Sequence, residues 1–260
     1  MSALKTELAL VWVAIGYFTR IPVPAWVWTD QQRLNRASRY FALVGLLVGL
    51  LSALVLWLSE QLWPVGVAVI LAMVTSLLLT GCFHEDGLAD TADGLGGGWQ
   101  LADKLRIMKD SRIGSYGAAS LLMALLLKWQ LLSELAQNSV NFTAIALVLG
   151  HTLSRAVAAS LMFTESYVRD EDSKSKPVVT AQSRQDLWVL LATALLVCGL
   201  MPLSQAAVML VVLLLARQLM VRWLRAQLGG YTGDTLGACQ QLAELLVYLV
   251  LVALWTGAAG

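Results

Sequence analysis

The stretch Gly81-Cys-Phe-His-Glu-Asp-Gly-Leu-Ala-Asp-Thr-Ala-Asp-Gly-Leu-Gly-Gly-Gly98 concentrates carboxylates and glycines at one point of an apolar sequence. Asp86, Asp90 and Asp93 follow one another at i, i+4 and i+7, so a helix would place all three on one narrow face. Like charges at this spacing repel one another. The glycines from Gly94 onward predict that the helix ends there, which puts Asp93 at the negative end of the helix dipole. A bound cation would explain this arrangement; the alternative is a solvated acidic turn between two membrane helices.

The composition indicates an integral membrane protein. Of the 260 residues, 58% are hydrophobic and 13% are charged, whereas soluble domains carry about 25% charged residues. The apolar runs are long and do not alternate, which predicts helices. We therefore expect an all-α, polytopic membrane protein formed by a single domain over residues 1–260. A net charge of +1 gives no general attraction to nucleic acid, and the three cysteines lack metal or redox spacing.

The hydrophobic runs predict about seven transmembrane helices. A shorter apolar run over residues 8–18 precedes them and is expected to be an interfacial or marginal helix, retained rather than cleaved. The expected spans are residues 40–58, 64–79, 116–132, 142–163, 187–200, 206–220 and 236–255.

The distribution of Lys and Arg predicts the orientation of these spans. If the spans alternate, the basic residues of the loops before residue 40, around residues 104–112, over residues 164–186 and around residues 222–225 all fall on one side. The opposite turns contain neither Lys nor Arg. The basic side is therefore expected to be cytoplasmic, and it includes the acidic stretch.

A second polar segment, Lys104-Leu-Arg-Ile-Met-Lys-Asp-Ser-Arg-Ile-Gly-Ser-Tyr-Gly117, follows the acidic stretch and opens a membrane helix. Glycines let backbone N–H groups approach an anion, and a helix N-terminus favours phosphate. The candidate phosphate-binding residues are Lys109, Ser111, Arg112, Gly114 and Ser115. The alternative is a loop that is basic only because it is cytoplasmic.

Further ionisable residues lie near or within the predicted spans. Asp234 stands in a glycine-rich turn at the start of the last span, as a metal ligand or a helix N-cap. His151 and Arg155 are separated by four residues inside a span, where they form either a substrate-binding pair or a polar clamp with Glu244. Lys128 is expected to extend its side chain toward a membrane interface.

Together these residues predict a site for a hard divalent cation beside basic, glycine-rich loops. Mg²⁺ is commonly held by a few carboxylates together with substrate phosphate oxygens. Such a site neutralises phosphoryl charge and can activate a hydroxyl nucleophile. The expected reaction class is phosphoryl or phosphodiester transfer from a nucleotide-activated donor.

Four motifs carry a resemblance to a known family. His84-Glu-Asp-Gly-Leu-Ala-Asp-Thr-Ala-Asp-Gly94, Met108-Lys-Asp-Ser-Arg-Ile-Gly-Ser-Tyr-Gly117 and Gly229-Gly-Tyr-Thr-Gly-Asp-Thr-Leu-Gly-Ala238 resemble the cobalamin synthase (adenosylcobinamide-GDP ribazoletransferase) family. Phe18-Thr-Arg-Ile-Pro-Val-Pro24 is similar to the opening signature of that family. The resemblance runs from about residue 10 to the last span.

The resemblance implies a Mg²⁺-dependent bacterial inner-membrane enzyme that joins adenosylcobinamide-GDP to α-ribazole or its 5′-phosphate, releasing GMP. It places metal ligands at Asp86, Asp90 and Asp93 and leaves Glu85 outside the ligand set. Two departures concern the loop around residues 170–177 and Gln240 with Gln241, which replace an acidic residue expected there.

The mechanism expected from this resemblance starts with attack of the ribazole 3′-hydroxyl on the phosphate of the cobinamide arm. Asp93 or Asp234 takes the hydroxyl proton, and Lys109 and Arg112 neutralise the departing GMP.

Two other classes are considered. A CDP-alcohol phosphotransferase also clusters aspartates on membrane helices, but Asp90 stands where its pattern has Arg. A cation-coupled transporter would place acidic residues near the midplane of two inverted repeats, and the sequence has no detectable repeat.

Overall fold

The computed structural model describes residues 3–27, 31–168 and 183–258. Within these ranges the regular secondary structure is helical, and one isolated parallel bridge joins Tyr167 to Tyr231. Two short 3-10 turns, Ala25–Val27 and Ser38–Tyr40, accompany the α-helices. The α-helices are α1 (Ala3–Phe18), α2 (Gln31–Ala37), α3 (Phe41–Ser59), α4 (Val65–Thr80), α5 (Phe83–Gly97), α6 (Leu101–Met108), α7 (Ser115–Asn138), α8 (Val140–Leu161), α9 (Arg184–Cys198), α10 (Leu203–Leu228) and α11 (Gly233–Ala258).

The all-α polytopic class predicted from the sequence is confirmed, with a difference in the helices that qualify as spans. In the described ranges, five helical segments are long and apolar enough to cross a membrane, or six if α4 and α5 form one bent span. Helix α9, predicted as a span, has only 15 residues. At about 1.5 Å per residue it falls short of a hydrocarbon core roughly 30 Å thick. Helix α1 has 16 residues, in keeping with the marginal helix expected there.

Helix α8 forms the centre of the bundle because its surface is buried on nearly every side. It packs against α3, α7, α9 and α11. Two glycines of α3 allow a close approach: a Cβ atom at Gly45 would overlap the His151 carbonyl oxygen, and one at Gly49 would lie 2.8 Å from the Cα atom of Val148. Five polar residues of α8 are therefore enclosed in the bundle: Thr143, His151, Thr152, Ser154 and Arg155.

Helices α4 and α5 meet at a sharp break, with an angle of 85° between them. Gly81 and Cys82 both adopt the left-handed backbone conformation, with φ of 64° and 58°, which turns the chain within two residues. The backbone N–H of Arg20 donates to the carbonyl oxygen of Leu79 at 2.6 Å, and a side chain at Gly81 would overlap the Arg20 guanidinium. The Phe18–Pro24 motif therefore packs against the break from which the acidic helix begins.

Polar contacts gather the long loops at one end of the bundle. Arg39 pairs with Asp186 at 2.9 Å, Lys104 donates to the Gln227 side chain at 2.7 Å, and the Arg225 guanidinium donates to Glu165. This grouping agrees with the predicted placement of the basic loops on one side. Residues 169–182, which include Arg169, Lys174, Lys176 and the departure at residues 170–177, lie outside the described ranges.

Candidate active site

An open cavity of about 480 Å³ joins the two polar segments singled out in the sequence. One wall is the acidic helix α5, and the opposite wall is the connection between α6 and α7. Asp86 and Asp90 face this cavity together with Lys109 and Ser111. The remaining lining residues are Leu77, Cys82, Glu85, Ala89, Met108, Asp110, Ile113, Leu121 and Leu125.

The carboxylates of Asp86, Asp90 and Asp234 share one neighbourhood and repel one another electrostatically. Asp86 is exposed, whereas Asp90 and Asp234 are half-buried. Close packing of α5 on α11 brings Asp234 to this place, because a Cβ atom at Gly87 would lie 2.7 Å from the Asp234 carbonyl oxygen. The predicted alternative for Asp234, a helix N-cap, is wrong. Thr232 occupies the cap position, and Thr232 and Thr235 exchange side-chain hydrogen bonds with each other's backbone N–H groups.

Asp93 binds the start of α7, whereas Asp86 and Asp90 line the cavity. Its side chain is buried and accepts hydrogen bonds from the backbone N–H groups of Gly114 at 2.7 Å and Gly117 at 2.8 Å. These groups open α7, where a helix leaves N–H donors unsatisfied and favours a negative charge. Asp93 therefore attaches the start of α7 to α5. Helix α5 ends at Gly97, not at Gly94 as predicted, because the glycines continue the helix where α6 and Tyr116 pack closely against it.

The cavity residues fit a Mg²⁺ ion that takes one or two protein carboxylates and completes its coordination shell with water and substrate phosphates. Among the described residues, no three His, Cys, Asp or Glu side chains are arranged to hold a metal ion by themselves. Mg²⁺ commonly takes one or two carboxylates and completes its shell with water and substrate phosphates. Asp86 and Asp90, which repel each other at the cavity wall, provide that kind of donor set.

The basic segment contributes unequally to the cavity. Lys109 and Ser111 line it, whereas the Arg112 guanidinium pairs with Asp110 at 2.6 Å on the exposed surface. Hydrogen bonds from Arg112 lower the pKa of Asp110 to about 2. Ser115 is exposed at the start of α7, and the N–H of Gly114 is already bound to Asp93. Lys109 and Ser111 are therefore the predicted phosphate contacts that the structure brings to the acidic wall.

His151 and Arg155 lie in a buried polar cluster and do not line the cavity. Glu244 accepts hydrogen bonds from Tyr248 at 2.9 Å and from Gln240 at 2.7 Å, and its other close contacts are Lys128 at 2.5 Å and His151 at 3.4 Å. The expected extension of Lys128 toward an interface is wrong, because Lys128 is 2% exposed and pairs with Glu244. A buried amine finds a carboxylate partner inside the bundle at lower cost than an unpaired charge.

Sequence reasoning missed Glu85, which lines the cavity and accepts a hydrogen bond from Gln241 at 2.9 Å. Gln241 in turn donates to Gln240 at 2.8 Å, so the cavity wall connects to the buried cluster. The sequence signal that pointed to Glu85 was the pair Gln240 and Gln241, which stand where an acidic residue was expected. Glu85 supplies a carboxylate at this contact from the opposing helix.

The fold and the cavity define an α-helical membrane protein with an acidic site beside a basic segment. The family described as CobS, cobalamin-5-phosphate synthase, matches residues 10–252, and the chain belongs to that family. The family resemblance read from the four sequence motifs is thereby confirmed.

Relatives from three bacteria carry the name adenosylcobinamide-GDP ribazoletransferase. The protein of Shewanella oneidensis is 58% identical over 95% of this chain and 94% of its own length. That of Shewanella frigidimarina is 58% identical over 95% of each chain. That of Shewanella sp. (strain W3-18-1) is 58% identical over 95% of this chain and 94% of its own. No solved structure matches the chain.

Proposed function

We propose that the protein is an adenosylcobinamide-GDP ribazoletransferase. It joins adenosylcobinamide-GDP to α-ribazole, or to α-ribazole 5′-phosphate, and releases GMP with the cobalamin or cobalamin 5′-phosphate. The observation that carries this proposal is the family match over residues 10–252, together with the name shared by relatives that are 58% identical over nearly the whole chain. The same match favours the transferase over a CDP-alcohol phosphotransferase or a transporter.

Mg²⁺ is the proposed cofactor, with Asp86 and Asp90 as its protein ligands at the cavity wall. When bound, the ion neutralises negative charge on the pyrophosphate of the activated corrinoid. The mutual repulsion of Asp86, Asp90 and Asp234 supports this assignment, because a cation would relieve it. Asp93, the third ligand expected from the resemblance, has each oxygen bound to a backbone N–H, so its part is to hold the first turn of α7 against the site.

The opposite wall is proposed to bind the nucleotide. Lys109 and Ser111 face the acidic wall across the cavity and can donate to phosphate oxygens. Arg112 and Ser115 stand at the exposed edge of the same segment, where the departing GMP would pass. Two carboxylates are candidates for the general base that accepts the proton of the attacking hydroxyl, and Asp234 is favoured over Asp93. Both carboxylate oxygens of Asp93 already accept hydrogen bonds from backbone N–H groups at the start of α7, so Asp93 is engaged in holding that helix.

His151 and Arg155 are assigned to support of the site and not to direct contact with substrate. Arg155 donates to the His151 carbonyl oxygen at 2.9 Å, and both side chains are almost completely enclosed. Within the described residues, hydrogen bonds connect their cluster to the cavity wall through Gln240 and Gln241.

We also propose that the protein resides in the bacterial inner membrane with the cavity open to the cytoplasm. The Lys and Arg residues of the long loops and the acidic stretch share one side of the predicted topology, and basic loops of bacterial membrane proteins remain cytoplasmic.

The test is incubation of the purified protein with adenosylcobinamide-GDP, Mg²⁺ and either α-ribazole or its 5′-phosphate. The expected result is release of GMP in equal amount to the joined corrinoid, and its loss with excess EDTA. Asp86→Asn is expected to abolish the product while the protein still folds. Turnover that persists in EDTA would remove the metal from the proposal, and the absence of a joined corrinoid under all conditions would overturn the function.

A further inference from the structure

Glu85 lines the cavity, and one of its carboxylate oxygens is a buried acceptor without a hydrogen-bond partner among the described residues. Its side chain is only 6% exposed, yet the residue lines the cavity. One carboxylate oxygen accepts the hydrogen bond from Gln241 at 2.9 Å. The other, Oε2, is buried and has no hydrogen-bond partner within the described part of the chain. A buried acceptor without a donor is destabilising, and native sites of this kind usually await a ligand or ordered water.

The charge of Glu85 is already balanced by buried cations. Lys128 and Arg155 interact favourably with Glu85 as well as with Glu244, so two positive and two negative side chains share this part of the bundle. Asp86, Asp90 and Asp234, in contrast, repel one another. A further cation would be attracted to the aspartates and opposed near Glu85 by Lys128 and Arg155. The free oxygen of Glu85 is therefore suited to a neutral donor.

A chain of hydrogen bonds holds this acceptor in place. Gln241 donates to Glu85 and to Gln240 at 2.8 Å, and Gln240 donates to Glu244 at 2.7 Å. Glu244 is fixed by Lys128 at 2.5 Å. Because each of these residues is buried, the Glu85 side chain has little freedom to change its conformation, and the position of its free oxygen is set by the packing of α5, α7 and α11.

We infer that Glu85 Oε2 accepts a hydrogen bond from a ribose 2′-hydroxyl of a bound nucleoside substrate. This inference rests on the proposed function, in which both substrates carry a ribose. A carboxylate on a ribose hydroxyl is an established mode of nucleotide recognition. In the acceptor the 3′-hydroxyl is the reacting group, which leaves the 2′-hydroxyl to be held by the protein. The ribose could belong to α-ribazole or to the GDP of the corrinoid, and the experiment separates the two.

The first test compares Glu85→Gln with the wild type in steady-state assays that vary each substrate in turn. The variant keeps the shape of the side chain but removes its charge. The expected result is a KM increase of about ten- to a hundredfold for one substrate only, as for loss of a hydrogen bond to a charged acceptor. An increase confined to ribazole identifies the acceptor as the source of the hydroxyl. An increase confined to the activated corrinoid assigns the hydroxyl to that substrate, and the 2′-deoxy-GDP analogue of the second test then distinguishes its GDP from its adenosyl group. Glu60→Gln, in the turn between α3 and α4, is the matched control and should leave both KM values unchanged.

The second test uses the wild-type protein with 2′-deoxyribazole and with the corrinoid activated by 2′-deoxy-GDP, so it does not depend on the variant folding. One analogue should raise KM by the same factor as Glu85→Gln. Combining that analogue with Glu85→Gln should add little more.

Unchanged KM values with both analogues would overturn the inference, as would a variant that lowers kcat alone or mainly shifts the Mg²⁺ requirement. In either case normal turnover by the wild type would leave the proposed function standing. A wild type without turnover would instead refute the proposed function itself.

Discussion

Asp93→Asn and Asp90→Asn should affect the protein in opposite ways, although the two residues are on the same helix. Both oxygens of Asp93 accept backbone hydrogen bonds, from Gly114 at 2.7 Å and Gly117 at 2.8 Å. Asparagine keeps one acceptor and replaces the other by an NH₂ group that faces a backbone donor. Asp90, by contrast, lines the cavity and is repelled by the carboxylates around it.

The magnitude follows from the groups lost at Asp93. A hydrogen bond to a charged acceptor contributes about 1.5–3 kcal/mol, and a negative charge at a helix N-terminus adds about 0.3–1 kcal/mol. Asp93→Asn should therefore lower the free energy of unfolding by roughly 2–4 kcal/mol. For a chain of this size the decrease in Tm is about 5–15 °C. Asp90→Asn removes repulsion of a few tenths of a kcal/mol per pair, so its Tm should stay the same or rise, while product formation falls by about a hundredfold or more.

The assay is thermal unfolding of the detergent-purified variants in EDTA, so that no bound cation contributes to stability. Gly117→Ala provides an independent perturbation of the same contact, since its methyl group would overlap the Asp93 carboxylate, and it should reproduce the loss of Tm. The reasoning is refuted if Asp93→Asn unfolds at the wild-type temperature, or if Asp90→Asn loses as much stability as Asp93→Asn.

Three further outcomes are expected. Lys128→Met should lower the free energy of unfolding by about 3–5 kcal/mol, because it removes the cation in direct contact with the buried Glu244 carboxylate. Adding Glu244→Leu should restore much of the loss in the same thermal assay, and no recovery would argue against the pair. Gly87→Ala should reduce Tm and activity together by separating α5 from α11, whereas Gly66→Ala, where nothing lies within 4 Å, should keep both; equal effects would refute the close approach. Cys82 is the one exposed cysteine of the three, so an impermeant maleimide should label it in inverted membrane vesicles but not in intact cells, and the reverse pattern would contradict the proposed orientation.

The cavity could be predicted in outline because its two walls are local in sequence. The i, i+4 spacing of Asp86 and Asp90 fixes a common face whatever surrounds the helix. Lys109 and Ser111 follow within the same loop region, and the side assigned by the basic residues places Asp234 nearby. These features follow from the helical period and from the positions of Lys and Arg in the loops.

Asp93 shows where the periodicity becomes insufficient. Its spacing predicts the face shared with Asp90, but its partner is decided by the entry of α7, whose first N–H groups point at the carboxylate. Lys128 shows the same limit, because its partner Glu244 lies on a helix more than a hundred residues away in the chain. A hydropathy analysis considers each span separately, so it predicts that a single lysine in a span extends toward the membrane surface.

The break between α4 and α5 could not be predicted as a turn of 85°. A glycine followed by a cysteine allows many connections, and the left-handed conformation of Cys82 is uncommon for a residue with a side chain. Arg20 packs closely against Gly81 at this break, and that contact joins segments that the sequence keeps far apart.

The glycines of α5 affect how loss-of-function variants in this family should be interpreted. At Gly87 and Gly94 a single methyl group would meet the backbone of another helix within 3 Å. A screen for inactive variants would therefore find these positions as readily as the aspartates beside them. A glycine variant would be inactive because the cavity wall is displaced. A variant of Asp86 or Asp90 would be inactive because a proposed metal ligand is missing. Only variants that are expressed, folded and inactive identify the residues that act on the substrate.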